Sequence, residues 1–303
     1  MSAALPRVVA GDGVRPVLAD LIALRERVRA WPPGGRGSQG ATGTTSRMRG
    51  RGMDYAESRP YAAGDDARHI DWRLTARSGR AHTKVFHAER ERVTLLVCDT
   101  APTLFIGTRV CFKSVQAARA GALAAWAAQR SGDRIGILGA GEPPRPPMGG
   151  SRGALRALDA LARWYAPPVS GAPDLADQLR TTTHLLRPGS RLVLLADAPS
   201  LRTVEDARLS SLAAHHELLV VVPVDPLELT PPHARVAFAT GQARLVVDLA
   251  APAARAAWRE RFALPVEEAE ARLRRLGAAV LVLPTDAPPE RLLPLLMPGH
   301  VAA

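Results

Sequence analysis

Beyond residue 91 the chain alternates short, continuous apolar runs with longer stretches in which apolar positions recur every three to four residues. The runs at 93–98, 134–138, 192–196 and 218–222 suit strands of a parallel sheet covered on both faces, since each side chain of such a strand meets a helix layer whichever way it points. A further run at 278–283 has the same character. The stretches at 109–130, 153–165, 175–186, 203–215, 251–276 and 290–296 predict the intervening and terminal helices. This alternation predicts an α/β fold, a doubly wound, mostly parallel, Rossmann-like sheet whose sites lie at the carboxyl ends of the strands. Residues 236–239 and 245–248, joined across Thr240-Gly241-Gln242, predict an inserted β-hairpin, because glycine in a short connection suits a tight reversal. No repeat at a solenoid period is visible.

The pattern before residue 92 is different. Over 16–30, Val17, Leu21, Leu24 and Val28 fall at helical spacing with Arg25, Glu26, Arg27 and Arg29 between them, predicting a short amphipathic helix that docks on another surface. From 33 to 52 the composition shifts to Gly, Ser, Thr and Arg, which buries too little apolar surface to order itself and reads as a flexible basic linker. The organisation expected is therefore a helix at 1–32, a linker at 33–52, a charged segment at 53–91 and the α/β domain at 92–303.

With 303 residues, 47% of them hydrophobic, the chain is long enough to bury a full core. No stretch reaches the ~18 continuous apolar residues of a membrane helix, and the first residues lack the apolar core of a signal peptide, so a cytoplasmic protein with no membrane span is expected. Two cysteines, Cys98 and Cys111, without a C-x-x-C spacing offer neither a zinc site nor a disulfide framework and read as packing residues. The net charge of +11 is concentrated early: residues 1–92 hold 17 Arg or Lys against 10 Asp or Glu. Only Lys84 and Lys113 are lysines, in a chain rich in Ala, Arg and Pro, so arginine is raised everywhere. The basicity favours an acidic partner surface and is weak support for nucleic acid.

The charged segment holds the least generic residues. Gly52, Glu57, Arg59, Tyr61, Gly64, Asp65, Asp66, Arg68, Ile70, Asp71, Trp72, Ala76 and Arg77 appear in an order that resembles the signature of a bacterial family known as domain of unknown function 58. Its members carry a von Willebrand factor type A-like domain, which the resemblance implies for the region after residue 92. It also implies partnership with a MoxR-type AAA+ ATPase in the remodelling or maturation of a client protein complex. On that footing the chain is expected to be a non-enzymatic, chaperone-like adaptor that supplies recognition while the ATPase supplies the work.

A type A domain holds Mg²⁺ at a metal-ion-dependent adhesion site through Asp-x-Ser-x-Ser after the first strand, a later Thr and a further strand-end Asp. Mg²⁺ is small and hard and requires octahedral oxygen ligands. The resemblance places Asp99, Thr103 and Asp197 in these positions, but Ala101 stands where the first serine belongs and Pro173 where the threonine belongs. Two of the five ligands are missing. Water in place of a hydroxyl, or Ser170 reaching in, would still allow Mg²⁺; taken singly, Asp99 and Asp197 read as strand-end acids that cap the next turn or helix.

Asp65, Asp66 and Asp71 lie among Arg59, Arg68, Arg73 and Arg77, a mixture that can pair internally, with Trp72 and Tyr61 covering the ion pairs. The alternative use of Arg59, Tyr61 and Trp72 is a partner surface, since Arg and aromatic residues anchor interfaces. His69, His82 and His87 lack metal-ligand spacing. No phosphate-binding loop, dinucleotide fingerprint, nucleophile elbow or H-E-x-x-H motif is present, and Gly149-Gly150-Ser151-Arg152-Gly153 reads as a loop before a helix. Two other classes stay open: a nucleic-acid module using Arg36, Arg47, Arg49 and Arg51, and a metal-dependent phosphoesterase built on Asp65, Asp99 or Asp197.

Overall fold

The computed structural model describes residues 12–32, 53–62, 65–88, 92–166, 171, 173–240 and 243–297; the expected linker at 33–52 lies outside them. The chain forms two compact units, residues 36–91 and residues 1–35 together with 92–303. In chain order, helix α1 (Leu18–Ala30) opens the larger unit, and strand β1 (Met53–Pro60), helix α2 (Trp72–Ser78) and strand β2 (His82–Ala88) make up the smaller. The larger unit resumes with β3 (Val93–Cys98), α3 (Lys113–Arg130), β4 (Arg134–Gly139), β5 (Arg145–Met148), α4 (Gly150–Trp164), α5 (Leu175–Thr181) and β6 (Arg191–Leu195). It continues through α6 (Ala198–Arg202), α7 (Asp206–His215), β7 (Glu217–Val224), α8 (Pro226–Leu229), β8 (Arg235–Thr240) and β9 (Ala243–Asp248). It closes with α9 (Pro252–Trp258), α10 (Leu264–Arg275), β10 (Ala279–Pro284) and α11 (Leu293–Leu296).

The core of the larger unit is a six-stranded sheet in the order β10-β7-β6-β3-β4-β5. Every pairing in it is parallel except β4 with the edge strand β5. The chain leaves β3 toward β4 on one side and later returns to β6 on the other, so the order of winding reverses between β3 and β6. In such sheets the carboxyl ends of the strands at that point leave a crevice. Strand residues alternate between two apolar layers: Leu96, Cys98, Val193 and Leu195 face one, Leu95, Val97, Leu192 and Leu194 the other. The continuous apolar runs of the sequence are thus strands buried on both sides.

Helix α3 lies in the first layer and is buried on nearly every face from Lys113 to Ala128. Its small residues make this possible: a Cβ on Gly121 would stand 2.9 Å from side-chain atoms of Leu161 and Leu195. Helix α1 packs on α3 through Leu21, Leu24 and Val28; the Trp126 indole donates to the Leu21 carbonyl at 3.0 Å, and the Arg25 guanidinium lies 5.1 Å from the Trp126 ring. Val17, expected on the buried stripe, is 40% exposed because it precedes the first helical turn.

The amino ends of the strands are tied by ions. Asp133 Oδ2 accepts from Arg92 Nε at 3.1 Å and from the buried Thr94 hydroxyl at 2.6 Å, while the two Glu217 oxygens accept from Arg92 and Arg191, each at 2.9 Å.

Several element boundaries differ from expectation. The helix expected at 109–130 starts at Lys113, since Phe112 is extended and Cys111 is packed in the preceding loop. The helix expected at 203–215 starts at Asp206, and a separate short helix, α6, capped by Asp197, precedes it and ends at Arg202. The stretch 251–276 contains a π-helical turn at Arg259–Ala263 between α9 and α10. Strand β5, Arg-Pro-Pro-Met, and the β1–β2 hairpin carry no apolar run and were not expected as strands. Prolines suit an edge strand because they have no N–H to donate. The β8–β9 hairpin is antiparallel as predicted.

Candidate functional site

Four charged or polar side chains converge at the carboxyl ends of β3, β6 and β7. Asp99, directly after β3, is 3% exposed; its Oδ1 accepts from the Ala101 amide at 2.9 Å and fixes the turn that follows. Asp197, after β6, is 1% exposed and caps α6, accepting from the Ser200 amide at 3.2 Å. Both acids therefore do what strand-end aspartates commonly do, satisfying amides at the start of a turn or helix. The second oxygen of each is buried and forms no well-made hydrogen bond among the described residues, as is true of the hydroxyls of Thr100 and Ser114.

Burial raises the Asp99 carboxyl to about 6; the Ser200 hydroxyl beside it pulls the other way, and the charge of Asp197 adds to the rise. Cys98 and Tyr165, both fully buried behind Asp99, are also pushed well up by burial, so neither serves as a ready anion.

Lys113, the first residue of α3, brings the balancing charge. Its side chain is 4% exposed, and its ammonium lies 3.8 Å from Asp197 Oδ2 and 2.8 Å from Glu228 Oε1. A cation at the first turn of a helix stands against the helix dipole, so the carboxylates must hold it there. Glu228 is itself fixed: its other oxygen accepts from the Asp225 amide at 2.8 Å, completing a capping box on α8. Asp225 in turn accepts from the amide and hydroxyl of Thr108, at 2.8 and 2.5 Å, and from the Thr285 hydroxyl at 3.3 Å. A chain of carboxylates and hydroxyls thus runs from β10 through β7 and α8 to the ammonium and on to β6.

Two of the oxygen ligands that an Mg²⁺ adhesion site would use are not supplied here. Ala101 carries no ligand oxygen, and Thr103 is exposed within a 3-10 turn at Pro102–Leu104. Pro173 lines a groove with Leu138, Gly141, Glu142 and Gln178, a set that includes none of Asp99, Asp197 or Lys113. Among the described residues no group of three or more His, Cys, Asp or Glu is arranged to hold a metal. What remains is two carboxylates with a fixed ammonium beside one of them. At ~4 Å a unit charge repels another by roughly 4 kcal/mol in a protein-like dielectric, and a divalent ion by twice that. Of the ligand set expected from the resemblance, Asp99 and Asp197 lie in this cluster with Lys113 and Glu228, while Thr103 is an exposed residue of the 3-10 turn at Pro102–Leu104.

The signature residues lie in the smaller unit. Arg59 pairs with Asp65 at 2.6 Å, and Asp65 also accepts from the Ala62 amide at 2.9 Å, while the Tyr61 hydroxyl donates to the Asp65 carbonyl at 2.9 Å. Asp66 caps the 3-10 turn at Ala67–His69 through the Arg68 amide. Asp71 caps α2 through Leu74 and also accepts from the Ser58 hydroxyl at 2.9 Å. The segment is thus held internally, largely by capping. Trp72 is 70% exposed, so it does not cover ion pairs as expected, and Arg68 and Arg77 are exposed. Gly64 and the side chain of Glu57 lie outside the described residues.

Reasoning from sequence missed Lys113, Asp225, Glu228 and Thr285. One signal pointed to Lys113: one of only two lysines in an arginine-rich chain, at the start of an alanine-rich helix.

Comparison with known proteins agrees with the signature. The uncharacterized protein Rv1480 of Mycobacterium tuberculosis and the uncharacterized protein Mb1516 of Mycobacterium bovis are each 32% identical to the chain over 187 residues. The match covers 60% of this chain and 58% of each relative, so the chain spans somewhat over half the length of the curated relatives it matches. Residues 57–272, which take in most of the signature segment and the whole strand-end cluster, match the family described as protein of unknown function DUF58, and the chain belongs to that family.

Proposed function

We propose that this chain is a non-enzymatic adaptor: it recognises a MoxR-type AAA+ ATPase and a client protein and directs the ATP-driven remodelling of that client. The observation that carries this reading is the state of the strand-end cluster. Asp99 and Asp197 cap turns, Asp225 ties three segments together, and Lys113 is paired with Glu228. Groups held in caps and ion pairs make a rigid, preorganised face suited to binding, whereas turnover calls for a nucleophile within reach of its base.

The reading includes a von Willebrand factor type A-like identity for the larger unit, supported by the strand order with its single antiparallel edge. It takes the compartment to be the cytoplasm; among the described residues no helix is long and apolar enough to cross a membrane. Two surfaces are candidates for the ATPase, the strand-end face of the larger unit and the exposed Trp72 and arginine side chains of the smaller. The test is co-purification of the chain with the MoxR-type ATPase of its own genome in the presence of ATP. Retention that Asp99→Ala abolishes assigns the strand-end face, and retention that only Arg59→Ala abolishes assigns the signature segment. No retention of the ATPase, with nucleic acid bound instead and released by salt, would overturn the proposal.

A further inference from the structure

We infer that the Lys113 ammonium is the resident cation of the strand-end cluster and that it keeps divalent ions out. The inference rests on the geometry of the cluster alone and holds whichever partner the protein has. The ammonium is inside the protein, 3.8 Å from Asp197 Oδ2, where a divalent ion shared by Asp99 and Asp197 would also have to lie close. It cannot swing into solvent without leaving Glu228, whose position is set by the capping box with Asp225 and, through Asp225, by Thr108 and Thr285. The residue type is informative as well. The chain has 40 basic residues and only two are lysines, yet the buried position at the start of α3 is one of them. A compact, tetrahedral point charge suits a tight site between carboxylates from different strands, whereas the planar fork of arginine needs more room and a flatter partner. The oxygen ligands absent at Ala101 and Pro173 are those that an ammonium does not need. The cluster therefore carries its positive charge within the chain, and recognition at this face does not pass through a metal-bridged carboxylate.

The test is titration of Mn²⁺ into the purified, chelator-stripped full chain, followed by the electron paramagnetic resonance signal of the free ion. Wild type is expected to leave that signal at its level in buffer. Lys113→Gln, which removes the ammonium, is expected to take up one ion per chain, and Lys113→Gln with Asp99→Asn to lose it again. Uptake by wild type that Asp99→Asn abolishes would overturn the inference, as would a folded Lys113→Gln chain that binds no more Mn²⁺ than wild type. Should Lys113→Gln fail to fold by circular dichroism, thermal unfolding of wild type in MgCl₂ against EDTA decides. An unchanged midpoint supports the inference, and a rise in Mg²⁺ that Asp99→Asn removes overturns it.

Discussion

The two ends of the central sheet handle buried charge in opposite ways. At the amino end, arginines meet carboxylates with hydrogen bonds to both Glu217 oxygens and two to Asp133 Oδ2, so the acids there are matched by donors. At the carboxyl end, the second oxygens of Asp99 and Asp197 make no well-formed hydrogen bond among the described residues, and the Lys113 ammonium lies 3.8 Å from Asp197 and 2.8 Å from Glu228. Carboxylates matched in this way suit a scaffold, although Nη1 of Arg191 is buried without a hydrogen bond among the described residues. Under-satisfied carboxylates at the reversal point of the sheet set this end apart as the face that the proposed adaptor role would use, with Lys113 as its cation.

This contrast can be sharpened by substitution. The largest effect is expected from Lys113→Ala, which strands Asp197 and Glu228 without a cation and should cost about 3–5 kcal/mol, the usual penalty for breaking one side of a buried pair; chemical denaturation at pH 7 reads it. Next is Gly121→Val. A branched side chain where a lone Cβ already meets Leu161 and Leu195 at 2.9 Å should cost about 1–3 kcal/mol by overpacking, seen as a lower unfolding midpoint with an unchanged denaturant slope. Thr94→Val, at the amino end, removes a hydrogen bond to a buried carboxylate and should cost about 1.5–3 kcal/mol if the matched network is as tight as its distances imply.

The pH dependence separates the two ends further. Asp99 in the folded protein titrates at about 6, above its ordinary value of 3.8, so the folded state binds more protons than the unfolded state between these values. Stability from this group is therefore fully present below about pH 4 and falls as pH rises through 6. Urea midpoints across pH 4 to 7 should show that loss, and Asp99→Asn should flatten it. The smallest effect on stability is expected at Trp72: exposed as it is, Trp72→Ala should change folding by no more than about 0.5 kcal/mol, and loss of ATPase retention in that variant would assign binding to the smaller unit.

Much of the larger unit was legible in the chain because strands buried on both sides must be apolar throughout; β3, β4, β6 and β7 show as runs, and so does the partly buried edge strand β10. Strand β5 was not, since an edge strand of Arg-Pro-Pro-Met has no such constraint, and the β1–β2 hairpin is a polar pair. Its register includes an irregularity between Tyr55 and Glu57 that periodicity does not reveal. The short helix α6 was not expected because five residues hold too few apolar positions to show a period, and the π-helical turn was hidden because apolar spacing continues across it. In the candidate site, Asp99 and Asp197 could be read as strand-end acids. Their counter-ion could not, because Lys113 lies 115 residues from Glu228 in sequence and only the folded sheet brings them together.

The central claim is that Lys113 holds the strand-end carboxylates in place of a metal. The most direct measurement is a crystal structure of the full chain grown in MnCl₂, with an anomalous difference map over the cluster. The account predicts no peak between Asp99 and Asp197, with the Lys113 ammonium against Asp197 and Glu228. A manganese peak bound to Asp99 and Asp197, with Lys113 turned away, would contradict it.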